Sequence, residues 1–226
     1  MSNAKIRTNK PVLIFLYGLP GSGKTHFSSN LTEVLDSAHV HGDRIRNELF
    51  EEPRYDEQED GIVSHLMDYM TEEFLRAGIS VVYDANMSRK NDRHAMREMA
   101  RKKNAKTLLI WFQIDPDASY SRIKSRDRRK SDDKYAFDYT ENEFRQYASR
   151  MQHPVPTEDY VVVSGKHTFT SQKTALFKKF MELGLIDNAT AKANVAKPGL
   201  INLVPNAHTL TGTGRVDMAR RNINIH

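Results

Sequence analysis

The feature that most constrains this chain is a glycine-rich octapeptide that follows a short apolar run. Residues 18–25 read GLPGSGKT, and residues 12–17 before them read VLIFLY. A continuous apolar run of this length predicts a strand buried on both faces of a parallel sheet. The spacing G-x-x-x-x-G-K-[ST] directly after such a strand predicts a phosphate-binding loop that leads into a helix.

Each residue type in this loop suits the binding of a nucleotide with magnesium. Glycines let the backbone turn tightly, so that successive amides face inward around the phosphates, and the following helix adds its positive dipole end. Lys24 supplies a positive charge for the β- and γ-phosphates, and the hydroxyl of Thr25 is a ligand for Mg²⁺. The predicted nucleotide-binding residues are Gly18, Gly21, Ser22, Gly23, Lys24 and Thr25.

Strand and helix signals alternate along most of the chain. Further strands are expected over residues 38–41, 79–83, 107–114 and 160–163, and helices over residues 23–35, 57–77, 90–103, 141–151 and 174–183. This alternation predicts an α/β fold with a parallel five-stranded sheet and helices on both faces. The pattern fades after residue 186, so we predict one domain over residues 1–187 and an irregular C-terminal tail over residues 188–226.

The composition narrows the class of protein. The chain of 226 residues is long enough for one α/β domain, and it has no cysteine, which excludes disulfides and thiolate metal sites. It has no apolar run long enough to span a membrane, and its first ten residues lack the apolar core of a secretory signal. We therefore expect a cytoplasmic protein without a membrane partner. The net charge of +5 favours an anionic partner, and nucleotide phosphates account for part of it.

Asp43 and Arg46 follow the second strand and suggest a reaction. Ligands of open parallel sheets bind at the carboxyl ends of the strands, so Asp43 is expected near the γ-phosphate. A carboxylate there can take a proton from an attacking hydroxyl, and Arg46, one helical turn on, can hold an anionic acceptor. The alternative is that Asp43 caps a helix that begins at residue 44.

Asp84 and a set of arginines complete the predicted site. Asp84 ends the third strand in VVYDAN, where it can hold Mg²⁺ through water or orient Arg46; the alternative is an ordinary turn residue. Phosphoryl transfer needs positive charge on the transferring group, often from an arginine on a mobile lid. Arg122, Arg126 and Arg129 recur at helical spacing, and Arg126 is the best catalytic candidate, although a solvated helix face is the alternative.

With these residues placed, the chain resembles the polynucleotide kinase and zeta-toxin-like group of P-loop kinases. The resemblance rests on GLPGSGKT, the Asp43-x-x-Arg46 pair, VVYDAN and the arginine spacing. It implies a three-layer P-loop NTPase fold that uses ATP and Mg²⁺. It further implies that Asp43 is the general base, that Arg46 binds the acceptor and that Asp84 supports the site. Arg126 is implied as the lid residue that stabilises charge on the phosphates.

We therefore expect an ATP-dependent kinase that transfers the γ-phosphate to a hydroxyl. The acceptor is left open between a nucleic-acid 5′ end, a nucleotide sugar and another small metabolite, although the acidic residues 51–60 disfavour a polyanion. Nucleotide-driven switches that act through a macromolecular partner, and nucleic-acid-binding proteins regulated by ATP, are the alternatives. His39 and His41 share one face of a strand, but without a third ligand we predict no structural zinc site.

Overall fold

Five parallel strands form the sheet that carries the predicted site. The computed structural model describes residues 5–127, 129 and 134–194, all within one compact unit. The strands lie in the order β2-β3-β1-β4-β5, and every neighbouring pair is parallel. Their bounds are β1 Val12–Gly18, β2 Ser37–His41, β3 Ser80–Asn86, β4 Lys106–Gln113 and β5 Tyr160–Ser164. The predicted α/β class and the five-stranded parallel sheet are confirmed.

Eight helices connect and cover these strands in the described residues. They are α1 Lys24–Val34, α2 Gly42–Leu49, α3 Glu57–Arg76, α4 Lys90–Lys102, α5 Pro116–Lys124, α6 Glu141–Arg150, α7 Phe169–Glu182 and α8 Asn188–Asn194. Within this part of the chain no helix is long and apolar enough to cross a membrane.

Helices α7 and α8 differ from the sequence-based prediction by several residues. Helix α7 begins at Phe169, five residues before the predicted start, because the ring of Phe169 packs against Phe27 in the core with centroids 5.6 Å apart. Helix α8 occupies the first seven residues of the predicted irregular tail. Its start is fixed by Asp187, whose carboxylate accepts a 2.7 Å hydrogen bond from the backbone N–H of Thr190. The tail from residue 195 onward lies outside the described residues.

The core lies on both faces of the sheet, as a central parallel strand requires. All seven residues of β1 are buried, and alternate side chains enter opposite layers. Val12, Ile14 and Leu16 face one apolar cluster, which also contains Phe177 of α7, whereas Leu13, Phe15 and Tyr17 face the other. This double burial explains why β1 has an unbroken apolar sequence rather than an alternating one.

A buried ion pair fixes the chain segment that precedes β5. Arg93 of α4 is fully buried and bonds to both carboxylate oxygens of Glu158 at 2.7 and 3.2 Å. The same guanidinium donates to the carbonyl oxygens of Met87, Gln152 and His153. Since one side chain joins four positions, the loop after β3 and the segment before β5 are held together beside the site.

An aromatic cluster lies at the base of the phosphate-binding loop. The ring of Trp111 in β4 stacks on His153, with centroids 5.3 Å apart, and meets the edge of Tyr17 at 5.8 Å. The hydroxyl of Tyr17 is 2.9 Å from Nδ1 of His153. Tyr17 directly precedes Gly18, the last residue of β1, so this cluster supports the point at which the loop leaves the sheet.

Candidate active site

Glycine conformation and the contact with α5 shape the loop between β1 and α1. Gly21 and Gly23 have φ angles of 81° and 94°, in the left-handed region that side chains rarely adopt. At Gly21 the loop also touches α5, because a Cβ atom there would lie 2.5 Å from the carbonyl oxygen of Ser119. The hydroxyl of Ser119 donates a 2.8 Å hydrogen bond to the carbonyl oxygen of Pro20. Helix α5 therefore supports the loop from outside.

The loop lysine lies within the turn of the loop. Nζ of Lys24 donates hydrogen bonds of 2.9 Å to the carbonyl oxygens of Gly18 and Leu19. Burial lowers the pKa of Lys24 to about 8, and the charge of Asp84 opposes the shift. Ser22 is buried, and its hydroxyl has no hydrogen-bond partner among the described residues. The predicted nucleotide-binding residues thus form one loop at the carboxyl edge of the sheet.

Thr25 and Asp84 place a hydroxyl and a carboxylate oxygen side by side. Oγ1 of Thr25 lies 3.5 Å from Oδ1 of Asp84, and Oγ of Ser28 donates a 2.5 Å hydrogen bond to Oδ2. Burial alone would raise the pKa of Asp84, but hydrogen bonds from His39 and Ser28 help to lower it below its usual value. An ionised carboxylate beside a hydroxyl fits a hydrated Mg²⁺ ion bound to nucleotide phosphates.

Two histidines contact the same aspartate from the neighbouring strand. Nε2 of His39 lies 3.1 Å from Oδ2 of Asp84, and Nε2 of His41 lies 3.9 Å from it. The two imidazole rings are parallel, with centroids 5.4 Å apart. The expectation that this pair lacks a third potential ligand is wrong, because it considered one strand alone. Parallel pairing sets His41 directly opposite Asp84.

One cavity of about 820 Å³ brings most of the predicted residues together. Its lining includes Gly21, Gly23, Lys24, Thr25, Asp43, Arg46, Asp84, Arg122 and Arg126. Asp43 lies in the first turn of α2, whose N-cap is His41, so the alternative that Asp43 caps a helix starting at residue 44 is wrong. Burial raises the pKa of Asp43, and the opposing effect of His41 does not cancel this shift.

The acidic first turn of α3 holds Arg46. The guanidinium donates a 3.0 Å hydrogen bond to Glu59, pairs with Asp60 and lies 4.7 Å from the ring centre of Tyr55. Burial opposes the ionisation of Glu59, but backbone N–H groups of Arg54 and Tyr55, with Arg46, lower its pKa to about 2. The prediction that Asp84 orients Arg46 is wrong, because the partners of Arg46 come from α3 and Asp84 bonds to Ser28 and His39.

The arginines do not lie on a single helix. Helix α5 ends at Lys124 with Ser125 as its C-cap, so Arg126 and Arg129 follow it, and the prediction that the three arginines share one helix is wrong. Arg122 donates a 2.8 Å hydrogen bond to the carbonyl oxygen of Gly165, and Arg126 donates a 2.7 Å bond to that of Phe137. The side chain of Arg129 is 91% exposed and pairs with Asp127. Arg122 and Arg126 line the cavity.

An aromatic wall that the sequence analysis missed forms part of the lining of the cavity. Tyr139 and Tyr147 line it, with ring centroids 5.8 Å apart. The amide of Asn86 donates a 2.7 Å hydrogen bond to the hydroxyl of Tyr147 and accepts one from the backbone N–H of Gly18. Aromatic residues alternate at positions 135, 137 and 139, and this alternation is the sequence signal for part of the wall.

Comparison with known proteins places this geometry in a family. The profile of the AAA domain family (AAA_33) matches residues 13–154, from β1 to the segment before β5. The chain belongs to this family. None of the curated proteins is similar enough in sequence to count as a match.

Solved structures share the fold at low sequence identity. A gluconokinase from Sinorhizobium meliloti 1021 is 12% identical, with a TM-score of 0.55 over 79% of this chain and 95% of that chain. Kti12 from Chaetomium thermophilum, solved with ADP-AlF3, is also 12% identical, with a TM-score of 0.57 over 77% of this chain and all of that one. A chain of the Pnkp1/Rnl/Hen1 RNA repair complex is 16% identical, with a TM-score of 0.54 over 66% of this chain and 46% of that chain. These similarities show a P-loop NTPase fold of the kind that kinases use.

Proposed function

We propose that this protein is an ATP-dependent kinase that transfers the γ-phosphate to a hydroxyl group of a small acceptor. The observation that carries the proposal is the meeting of Asp43 with Lys24 and Thr25 in one cavity. A nucleotide-binding loop alone requires no carboxylate on α2. A carboxylate with a raised pKa beside that loop supports proton transfer from an attacking hydroxyl.

The residues of the cavity divide the reaction between them. The oxygen of the acceptor hydroxyl attacks the γ-phosphorus, and Asp43 accepts the proton of that hydroxyl. The bond between the γ-phosphorus and the β-phosphate oxygen breaks in the same step. Lys24 leaves its carbonyl partners for the phosphate oxygens, and Arg126 neutralises charge that develops on the transferring group. Thr25 and Asp84 would hold Mg²⁺, which supplies further charge stabilisation on the phosphates when bound.

A small acceptor is supported by the surroundings of Arg46. Two carboxylates already pair with its guanidinium, so a polyanionic acceptor would have to compete with both. The cavity lining also offers hydroxyl groups from Tyr139 and from Ser64 of α3. Such groups recognise the hydroxyls of a sugar or nucleoside by hydrogen bonding.

The test is transfer of γ-labelled ATP phosphate, with Mg²⁺, to a panel of acceptors. The panel contains simple sugars, nucleosides, nucleotide sugars and 5′-hydroxyl RNA and DNA oligonucleotides. We expect Asp43→Asn to reduce kcat/KM by about 100- to 10,000-fold, the usual contribution of general base catalysis, with ATP affinity nearly unchanged. Asp92→Asn is the matched control, since Asp92 also lies in the first turn of a helix but is exposed.

The outcomes separate the candidate functions. Transfer to one acceptor class that is lost in Asp43→Asn supports the kinase and identifies its substrate. Label released only as free phosphate, at the same rate in Asp43→Asn, would contradict the proposal and favour a nucleotide-driven switch. Transfer restricted to oligonucleotides would support kinase activity but contradict the proposal of a small acceptor.

A further inference from the structure

Three potential metal ligands meet beside Thr25 of the phosphate-binding loop. His39 and His41 lie two residues apart on β2, so their side chains leave the same face of the sheet. Asp84 lies opposite His41 on β3. One ligand atom from each of the three residues lies within 4.8 Å of the other two.

A hydrogen bond to Asp84 explains the position of His39 but not that of His41. Nε2 of His39 is 3.1 Å from Oδ2 of Asp84, a normal hydrogen-bond distance, whereas Nε2 of His41 is 3.9 Å from the same oxygen. The parallel rings direct both nitrogens at one carboxylate oxygen. A cation placed among the three atoms would bind both imidazoles and Oδ2, which also accepts the hydrogen bond from Ser28.

The donor set favours a transition metal over magnesium. Imidazole nitrogen suits Zn²⁺ and its neighbours in the first transition series, whereas Mg²⁺ prefers an all-oxygen set. Two imidazoles and one carboxylate also form the protein part of open zinc sites, in which water or a ligand takes the remaining position. The three side chains are 16%, 9% and 4% exposed and lie on two paired strands, so their positions are fixed before any ion binds.

We propose that His39, His41 and Asp84 bind a divalent first-row transition ion, with Zn²⁺ as the ion that best suits these ligands. The site is distinct from the predicted magnesium position, because it uses Oδ2 of Asp84 while Oδ1 faces Thr25. It would link the edge strand β2 to the inner strand β3 through their side chains. The proposal does not depend on kinase activity.

The first test titrates Zn²⁺ alone into nucleotide-free protein that has been treated with a chelator. We expect the wild type to bind one ion per chain. Zn²⁺ affinity should fall roughly 100-fold or more in His39→Asn and in His41→Asn, because mutating a residue that only supports a metal ligand already lowers affinity by about 10- to 100-fold. His65→Asn is the matched control, since His65 is exposed on α3, and it should bind as the wild type does. Equal affinity in all four proteins would overturn the proposal.

A second measurement needs no variant and covers the case in which a substitution prevents folding. Protein labelled with ¹⁵N at histidine is followed by NMR as Zn²⁺ is added. We expect the Nε2 signals of two of the nine histidines to shift together at one equivalent. Absence of any paired shift would overturn the proposal. Zn²⁺ should also raise the Tm of the wild type but not that of either folded variant.

Discussion

Replacing Gly21 by alanine measures how tightly the phosphate-binding loop is packed against α5. Gly21 has φ 81°, and a new Cβ atom would lie 2.5 Å from the carbonyl oxygen of Ser119 and 3.0 Å from Ile123. Gly78, between α3 and β3, is a matched position, because it has φ 78° and a Cβ atom there would have no neighbour within 4 Å. Both substitutions place a side chain on a left-handed backbone, but only Gly21→Ala brings the new methyl group into contact with α5.

The expected losses of stability follow from the backbone strain and from the contact with α5. A side chain in the left-handed region costs about 1–2 kcal/mol, so we expect Gly78→Ala to lower the free energy of unfolding by about that amount. Overpacking adds about 1–3 kcal/mol, and the neighbour here is a backbone carbonyl that cannot rotate away. Gly21→Ala should therefore lose about 2–5 kcal/mol in total.

The assay is urea denaturation of each variant without nucleotide, followed by circular dichroism and extrapolated linearly to water. Because the strain in Gly21→Ala displaces the loop, its ATP affinity should also fall, whereas Gly78→Ala should bind ATP normally. Equal losses of stability in the two variants would refute the reasoning. They would mean that α5 yields to the new methyl group at no cost.

Four further predictions follow from the buried groups. Since burial raises the pKa of Asp43, kcat/KM should fall with decreasing pH through a pKa above the ordinary aspartate value, and a pH profile without that limb would contradict the assigned base. The pKa of Lys24 in the nucleotide-free protein is about 8. ATP affinity should therefore be constant below that pH and weaken above it, as calorimetry across pH would show. Glu158→Gln should lose about 3–5 kcal/mol of stability, because it leaves the buried guanidinium of Arg93 without its counter-ion. Phe177→Ala, in the core, should lose about 3–5 kcal/mol, which denaturant unfolding would measure.

Features that depend on neighbouring residues in the chain were predictable from the sequence. The apolar run before Gly18 specifies a strand buried on both faces, and the spacing of Gly23, Lys24 and Thr25 specifies a loop that opens a helix. The acids at positions 43 and 84 lie at the carboxyl edge because strands in a parallel sheet share one direction. The strand ends therefore located the loop residues and the two acids that line the cavity.

Features that depend on pairing between elements were not predictable. The sequence places Asp84 45 residues from His39, and only the register of β2 with β3 brings them together. Arg46 could equally have faced the sheet or α3. The ring of Tyr55 lies against the guanidinium of Arg46, and Tyr55 has a left-handed φ of 55° that no sequence pattern predicts.

Trp111 gives this protein an optical reporter. It is the only tryptophan in the chain, and its ring contacts Tyr17, the residue directly before the phosphate-binding loop. Its indole is half-buried and stacked on His153, so its emission depends on packing at the base of the loop. If ATP binding changes this packing, intrinsic fluorescence in stopped-flow experiments will report the change without a chemical label or an added residue.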